Sequence, residues 1–236
     1  MNILVLHGWG GSKKSWEEFV RCFDKKRYKL FVPDLPGFGD ESAPDRPWYV
    51  HDYAQWVEEY MKKKKLVKPI VVAHSFGGRI AIKMCTARID VFSRLFLVGA
   101  AGIKRPPSMR VRVLKGMAKV GKFVLGLFRL KSVQTFFKKV VYKAAGTHDY
   151  EHATGTMKKT FKNVIDEDLK DLLDDIRVKT HIIWGDRDSY VPVADAKIMG
   201  KRIKDSTVEI IEHGKHGLHL QMPEVLAEKV KKHING

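Results

Sequence analysis

Six short apolar runs recur along the chain with helical patterns between them. They cover residues 2–6, 28–32, 69–73, 95–98, 181–184 and 208–211. Near-continuous apolar strands are typical of a parallel sheet that is buried on both faces, because the crossover helices cover each face. The pattern predicts an α/β fold with a mostly parallel sheet of about six strands and helices on both sides.

The predicted helices fall between these strands. They cover residues 15–23, 52–65, 76–87, 193–203 and 223–233. Pro223 is the first residue of the last predicted helix. Proline is tolerated at this position because a backbone N–H in the first turn has no partner within the helix. Strand and helix therefore alternate over most of the chain.

One long interval breaks this alternation because it carries helical patterns and no strand signal. Its two longest helical patterns cover residues 109–130 and 133–145. The sequence predicts a helical cap insertion at residues 103–178, set into an α/β core made of residues 1–102 and 179–236.

The formal net charge of +17 is unevenly distributed. Between Lys104 and Lys162 there are fifteen Lys or Arg residues and two acids, Asp149 and Glu151. Apolar and basic residues alternate at helical spacing over residues 109–130, a pattern that suits weak binding to an anionic membrane. The favoured alternative is a cap whose apolar side covers a site while its lysines face water. No nucleic-acid-binding module is recognised, so nucleic acid is not an expected partner.

Two cysteines, Cys22 and Cys85, lie far apart in sequence and match neither a disulfide framework nor a metal-binding spacing. The apolar runs are much shorter than the ~20 residues of a membrane-spanning helix. The N-terminus lacks the basic and apolar regions of a secretory signal. We expect a reduced, cytoplasmic protein, and the sequence leaves its oligomeric state open.

A serine stands directly after the third predicted strand, in the segment Ala73-His74-Ser75-Phe76-Gly77-Gly78. A sharp turn from strand to helix exposes the hydroxyl of its central residue, and small neighbours allow the turn to close. Serine is a poor nucleophile unless a positioned base and an orienting acid assist it. The segment alone is therefore a weak signal.

Candidates for both partners follow the last two predicted strands. Asp186 and Asp188 come after the fifth strand, and His213, His216 and His219 come after the sixth. In parallel α/β sheets the carboxyl ends of the strands meet at one edge, where ligands bind. The order serine, acid, histidine is the one found in α/β-hydrolases.

Together with two further loops, these segments resemble the α/β-hydrolase superfamily, in its compact form with a helical cap. The loops His7-Gly8-Trp9-Gly10-Gly11 and Asp34-Leu35-Pro36-Gly37-Phe38-Gly39 are similar to the family's H-G and D-x-P-G-x-G loops. The resemblance spans the chain from Met1 to Pro223 except for the insertion.

The resemblance implies a role for each matching residue. Ser75 would be the nucleophile, His216 the general base and acid, and Asp188 the group that orients His216. Trp9 and Phe76 would contribute backbone N–H groups to an oxyanion hole. Asp186 is the rival acid, and His213 and His219 are the rival bases. His219 is expected to line or support the pocket, and His7 and His74 to form structural hydrogen bonds.

The chain departs from the family pattern in two informative places. Ala73 replaces the usual first glycine of the nucleophile turn. The chain also begins at the strand that precedes the H-G loop, where many relatives have two more strands, so the sheet is expected to lack the first two strands of the fold.

A serine nucleophile favours acyl chemistry over the epoxide and halide chemistry of relatives that use aspartate. The sequence therefore predicts hydrolysis of a small to medium carboxylic ester or related acyl substrate, through an acyl-enzyme and without metal or cofactor. Lactone hydrolysis or carbon–carbon bond hydrolysis by the same three residues is the alternative among enzymes. A non-catalytic binding protein on the same fold is the alternative from another class.

Overall fold

One six-stranded parallel sheet organises the molecule. The computed structural model describes residues 1–87, 90–105 and 155–235. The strands are β1 (Asn2–Leu6), β2 (Lys29–Phe31), β3 (Ile70–His74), β4 (Arg94–Val98), β5 (Thr180–Gly185) and β6 (Ser206–Ile211). Their order across the sheet is β2-β1-β3-β4-β5-β6, and every neighbouring pair is parallel. This confirms the predicted fold class.

Helices follow most strands, close to the positions that the sequence predicts. They are α1 (Glu17–Arg21), α2 (Val50–Lys63), α3 (Phe76–Ala87), α4 (Gly155–Asp166), α5 (Val193–Arg202), α6 (Leu218–Gln221) and α7 (Pro223–Asn235). Two short 3₁₀ segments, Lys13–Trp16 and Lys170–Asp175, complete the set within the described residues. The helices predicted at residues 109–130 and 133–145 lie outside the described residues.

Successive residues of the central strands point into two separate apolar cores. Leu4 and Leu6 of β1 belong to the core on the side of α2, α3 and α5. Ile3 and Val5 belong to the core on the side of α1 and α7. Because both faces are covered, β3 is buried at all five positions, which explains why the strands read as continuous apolar runs.

The chain divides into two compact units, one of Met1–Lys104 with Gly155–Gly236 and one of Arg105–Thr154. Helix α4, which the sequence analysis places in the insertion, belongs to the unit that contains the sheet. Its Val164 is part of the apolar core formed with α2 and α3. Residues 167–178 of the predicted insertion also belong to this unit, whereas residues 106–154 lie outside the described residues, so the extent of the cap stays a prediction.

No helix within the described ranges is both long and apolar enough to cross a lipid bilayer.

Helix α3 packs closely against the end of β1, at the position of Gly77. A Cβ atom placed on Gly77 would lie 2.3 Å from the carbonyl oxygen of Leu6. A backbone atom cannot move away as the end of a flexible side chain can. Glycine is therefore required at this position for the helix to sit against the strand.

We predict that Gly77→Ala lowers the free energy of unfolding by about 2–3 kcal/mol, because the new methyl group overpacks a backbone contact. Chemical denaturation measures the difference. Gly217→Ala is the matched control, since its Cβ would meet Leu220 Cδ1 at an ordinary 3.6 Å. Equal losses in both variants would contradict the close approach at Gly77.

Candidate active site

The backbone turns sharply between β3 and α3, and Ser75 stands at the turn. Its φ of +51° lies in the left-handed region, which costs a residue other than glycine about 1–3 kcal/mol. The Ser75 N–H donates to the carbonyl of Val98 (3.1 Å), and the Ser75 carbonyl accepts from Ala101 N–H (3.0 Å). Two bonds, one to the last residue of β4 and one to the segment after it, hold the strained residue in place.

Ala73 fits where the family pattern has glycine. It is fully buried and is paired in the sheet with Leu6 of β1 and Leu97 of β4. The methyl group is accommodated in the apolar core, so the substitution leaves the turn at Ser75 intact.

The imidazole of His216 lies between Ser75 and Asp188. His216 Nε2 is 3.0 Å from Ser75 Oγ, and His216 Nδ1 is 2.7 Å from Asp188 Oδ2. A carboxylate can only accept, so Nδ1 carries the proton and Nε2 of the neutral ring accepts from the serine hydroxyl. This arrangement can remove the hydroxyl proton as the serine oxygen attacks an electrophile.

Asp188 is held by partners on both of its oxygens. The Asp188 side chain is fully buried. Its Oδ1 accepts from the backbone N–H groups of Tyr190 and Val191, each at 2.8 Å, and its Oδ2 accepts from His216. Because both oxygens are engaged, the carboxylate cannot rotate away from the imidazole without losing hydrogen bonds.

Backbone hydrogen bonds fasten the acid loop to the histidine loop. Asp186 N–H donates to the carbonyl of Ile211 (3.0 Å), and Arg187 N–H donates to the carbonyl of Gly214 (2.8 Å). These bonds extend the pairing of β5 and β6 beyond the strands. They place Asp188 and His216 at a fixed separation.

The rival acid and one rival base lie elsewhere. Asp186 and His213 are exposed, and the His213 ring contacts Arg187. Among the candidate residues, the structure brings Ser75, Asp188 and His216 together and leaves these two outside.

Two further histidines pack behind His216. His74 Nε2 donates to the backbone carbonyl of His216 (2.9 Å), and their ring centroids are 4.7 Å apart. His219 stacks on Trp16, with centroids 4.2 Å apart and planes at 12°, and lies 4.6 Å from His74. His219 thus supports the site from inside.

The supporting histidines are neutral at physiological pH. Burial lowers the pKa of His74 well below its ordinary value, and the nearby His219 and His216 lower it further. Burial, together with the same neighbour His216, lowers the pKa of His219 to about 4. Neither supporting ring therefore carries a charge beside His216.

The H-G loop lies against the serine turn. His7 Nδ1 donates to the carbonyl of Gly8 (2.7 Å), and His7 Nε2 accepts from Leu35 N–H (2.9 Å), as expected of a structural histidine. A Cβ on Gly8 would lie 3.3 Å from the Cβ of Ser75. This contact brings the segment that carries Trp9 beside the nucleophile candidate.

Aromatic side chains form a continuous apolar surface next to this loop. The Trp9 ring contacts Phe38 (4.9 Å between centroids), Phe76 (5.3 Å) and Phe161 (4.9 Å). Phe161 belongs to α4 and was not singled out from the sequence, because a phenylalanine at helical spacing gives no sign of which element it contacts.

Across the described ranges, no group of His, Cys, Asp or Glu residues could hold a metal ion.

The sequence is similar to known proteins along nearly its whole length. Residues 3–229 match the model of the alpha/beta hydrolase family. The human monoacylglycerol lipase ABHD6 is 26% identical over 261 residues, which cover 97% of this chain and 74% of the lipase.

Solved structures share the fold. An esterase from Exiguobacterium antarcticum matches with a TM-score of 0.75 and 24% identity, over 100% of this chain and 92% of the esterase. A meta-cleavage product hydrolase from Pseudomonas fluorescens IP01 matches with a TM-score of 0.73 and 17% identity, over 100% and 90% of the two chains. Because the family model matches nearly the whole chain, this protein belongs to the alpha/beta hydrolase family and is a hydrolase.

Proposed function

We propose that this protein is a serine hydrolase that cleaves a small to medium carboxylic ester through an acyl-enzyme intermediate. The observation that carries the proposal is the unbroken chain of hydrogen bonds from Ser75 Oγ through the His216 imidazole to the buried Asp188 carboxylate. In this role Ser75 is the nucleophile, His216 the general base and acid, and Asp188 the residue that orients His216.

The first half of the reaction forms the acyl-enzyme. Ser75 Oγ attacks the ester carbonyl carbon while its proton passes to His216 Nε2. The carbonyl oxygen becomes an oxyanion, which we assign to the backbone N–H groups of Trp9 and Phe76. His216 then gives its proton to the leaving alcohol as the carbon–oxygen bond breaks.

The second half returns the enzyme to its starting state. A water molecule loses a proton to His216 Nε2 and attacks the acyl carbon. The same N–H groups stabilise the second oxyanion, and the proton on His216 passes to Ser75 Oγ as the carboxylic acid leaves. Within the described ranges, neither the Trp9 nor the Phe76 N–H donates to another protein group, which supports their assignment as donors to the oxyanion.

Two observations favour an apolar ester among the acyl substrates. The relative ABHD6 is a monoacylglycerol lipase, which hydrolyses an ester bond. The half-buried rings of Trp9 and Phe38 beside the serine turn offer an apolar surface to the substrate. A lactone or a carbon–carbon bond next to a carbonyl could react with the same residues, and a panel of esters, lactones and vinylogous diketones would rank the three classes.

Association with anionic membranes stays a prediction from the sequence. The basic stretch between Lys104 and Lys162 lies mostly outside the described residues, while α4 at its end has exposed Lys159 and Lys162 on one side and buried Met157 and Phe161 on the other.

The free thiols of Cys22 and Cys85 favour a reducing compartment such as the cytoplasm.

We predict that Ser75→Ala lowers kcat for a short-chain p-nitrophenyl ester by about 10⁴-fold or more, because the nucleophile is lost. The unfolding midpoint should not change, since alanine keeps the Cβ at the strained turn. The exposed Ser93, changed to alanine, is the matched control. Retention of activity in Ser75→Ala would contradict the proposal.

We predict that Asp188→Asn lowers kcat by about 10³–10⁴-fold, because an amide N–H facing His216 favours the wrong imidazole tautomer. The amide oxygen can still accept from Tyr190 and Val191, so the loop should keep its shape. Asp186→Asn, two residues away on the same loop, should retain activity within about twofold. Equal losses in the two variants, measured by steady-state kinetics, would rule out the assigned role of Asp188.

For the basic stretch, the favoured cap interpretation predicts no sedimentation with anionic phosphatidylserine vesicles beyond that seen with neutral vesicles at physiological salt. Binding to a membrane surface would instead be strong at low salt and decrease as salt screens the charges. Co-sedimentation across a salt series distinguishes the two.

A further inference from the structure

An exposed aromatic ring covers the outer face of the His216 imidazole. The ring of Tyr190 stacks on that of His216, with centroids 5.1 Å apart and planes at 24°. Tyr190 is 59% exposed, so packing into the apolar core does not explain its position. None of the roles proposed above uses it.

The position of Tyr190 is set by the same carboxylate that orients His216. Tyr190 N–H donates to Asp188 Oδ1 while His216 Nδ1 donates to Asp188 Oδ2. The backbone of Tyr190 is therefore fixed relative to the imidazole by two short bonds through one buried group. The stacking of Tyr190 on His216 therefore follows from the hydrogen bonds of this loop.

The imidazole has a second aromatic neighbour. The ring of His74 is tilted by 48° from that of His216, with centroids 4.7 Å apart, and burial keeps it neutral. A neutral, tilted ring offers little stabilisation to a positive charge on His216. The flat π face of Tyr190, by contrast, attracts a cation placed over it.

We propose that Tyr190 is a positioning residue for the proposed hydrolysis. Its ring holds the imidazole in the plane that directs Nε2 to Ser75 Oγ, and its π face stabilises the imidazolium that forms when His216 takes the serine proton. This inference rests on the proposed function, because it assigns His216 as the base. Tyr190 acts through His216 and does not contact the reacting carbonyl.

The test compares Tyr190→Leu with Tyr190→Phe. Leucine removes the aromatic face, whereas phenylalanine keeps the ring and loses only the hydroxyl. For p-nitrophenyl acetate, we expect Tyr190→Leu to lower kcat by about three- to tenfold with KM unchanged, and Tyr190→Phe to restore most of the loss. Both variants should unfold at the wild-type midpoint, because the side chain is exposed.

The chain offers a matched control in a second stack of tyrosine on histidine. Tyr49 is 48% exposed and stacks on His51 with planes at 17°. Tyr49→Leu removes a similar surface ring and should leave kcat unchanged. A loss of kcat equal to that of Tyr190→Leu would show a general effect of removing surface rings.

A measurement without substrate separates this inference from the proposed function. The Nδ1 proton of His216, hydrogen-bonded to Asp188, is expected to give a proton NMR signal downfield of the amide region. It should stay sharp in the wild type and in Tyr190→Phe and broaden in Tyr190→Leu, whether or not the protein hydrolyses esters.

Besides an equal loss in Tyr49→Leu, three results with the Tyr190 variants would overturn the inference. The first is an unchanged kcat in Tyr190→Leu. The second is a raised KM with unchanged kcat, which would make Tyr190 a substrate contact. The third is an equal loss in Tyr190→Phe, which would assign the effect to the hydroxyl. Wild-type protein that is inert toward all esters, with the NMR signal behaving as expected, would count against the proposed function and support the positioning of His216 by Tyr190.

Discussion

The left-handed backbone of Ser75 is the constraint on which the site depends. A residue with a side chain adopts this conformation at a cost, and it persists here because β4 and the residues after it bond to both the N–H and the carbonyl of Ser75. The parallel sheet makes this possible, since β3 and β4 end at the same edge. The strain raises the serine hydroxyl out of the strand and toward His216, while the close approach of α3 at Gly77 completes the turn.

The fold could be predicted from the sequence because strands that are buried on both faces of the sheet are continuous runs of apolar residues. The wholly buried strand β3 is a run of apolar residues that ends in His74, and the helices between strands carry one apolar side. The order of the loops then indicated a serine, an acid and a histidine as partners, and the resemblance to α/β-hydrolases implied Ser75, Asp188 and His216. The choice between Asp186 and Asp188 could not be made from chemistry alone, because both are acids on one loop. In the structure His216 Nδ1 bonds to Asp188, whose carboxylate also accepts from Tyr190 and Val191, whereas Asp186 is exposed, which favours Asp188.

Contacts between distant parts of the chain were harder to foresee. A structural hydrogen bond is expected of His74 from the sequence, but its acceptor, the His216 carbonyl, lies 142 residues away, and hydrophobic periodicity does not indicate such a pair. The packing of Phe161 on Trp9 depends on the direction of α4, which the sequence analysis had grouped with the cap. In the sequence Tyr190 is an ordinary loop residue, and only the structure shows that its ring stacks on that of His216. Local patterns therefore predict elements and loops, whereas the arrangement of side chains around the imidazole needs the three-dimensional structure.

In the proposed mechanism, His216 and Asp188 together make Ser75 a nucleophile. Covalent labelling with a fluorophosphonate tests it most directly, because the reagent phosphonylates an activated serine whatever the natural substrate is. We expect one label per chain, located at Ser75 by peptide mass spectrometry, with labelling slowed strongly when His216 is replaced by alanine. Absence of labelling in the folded wild-type protein, or a label on another serine, would contradict it.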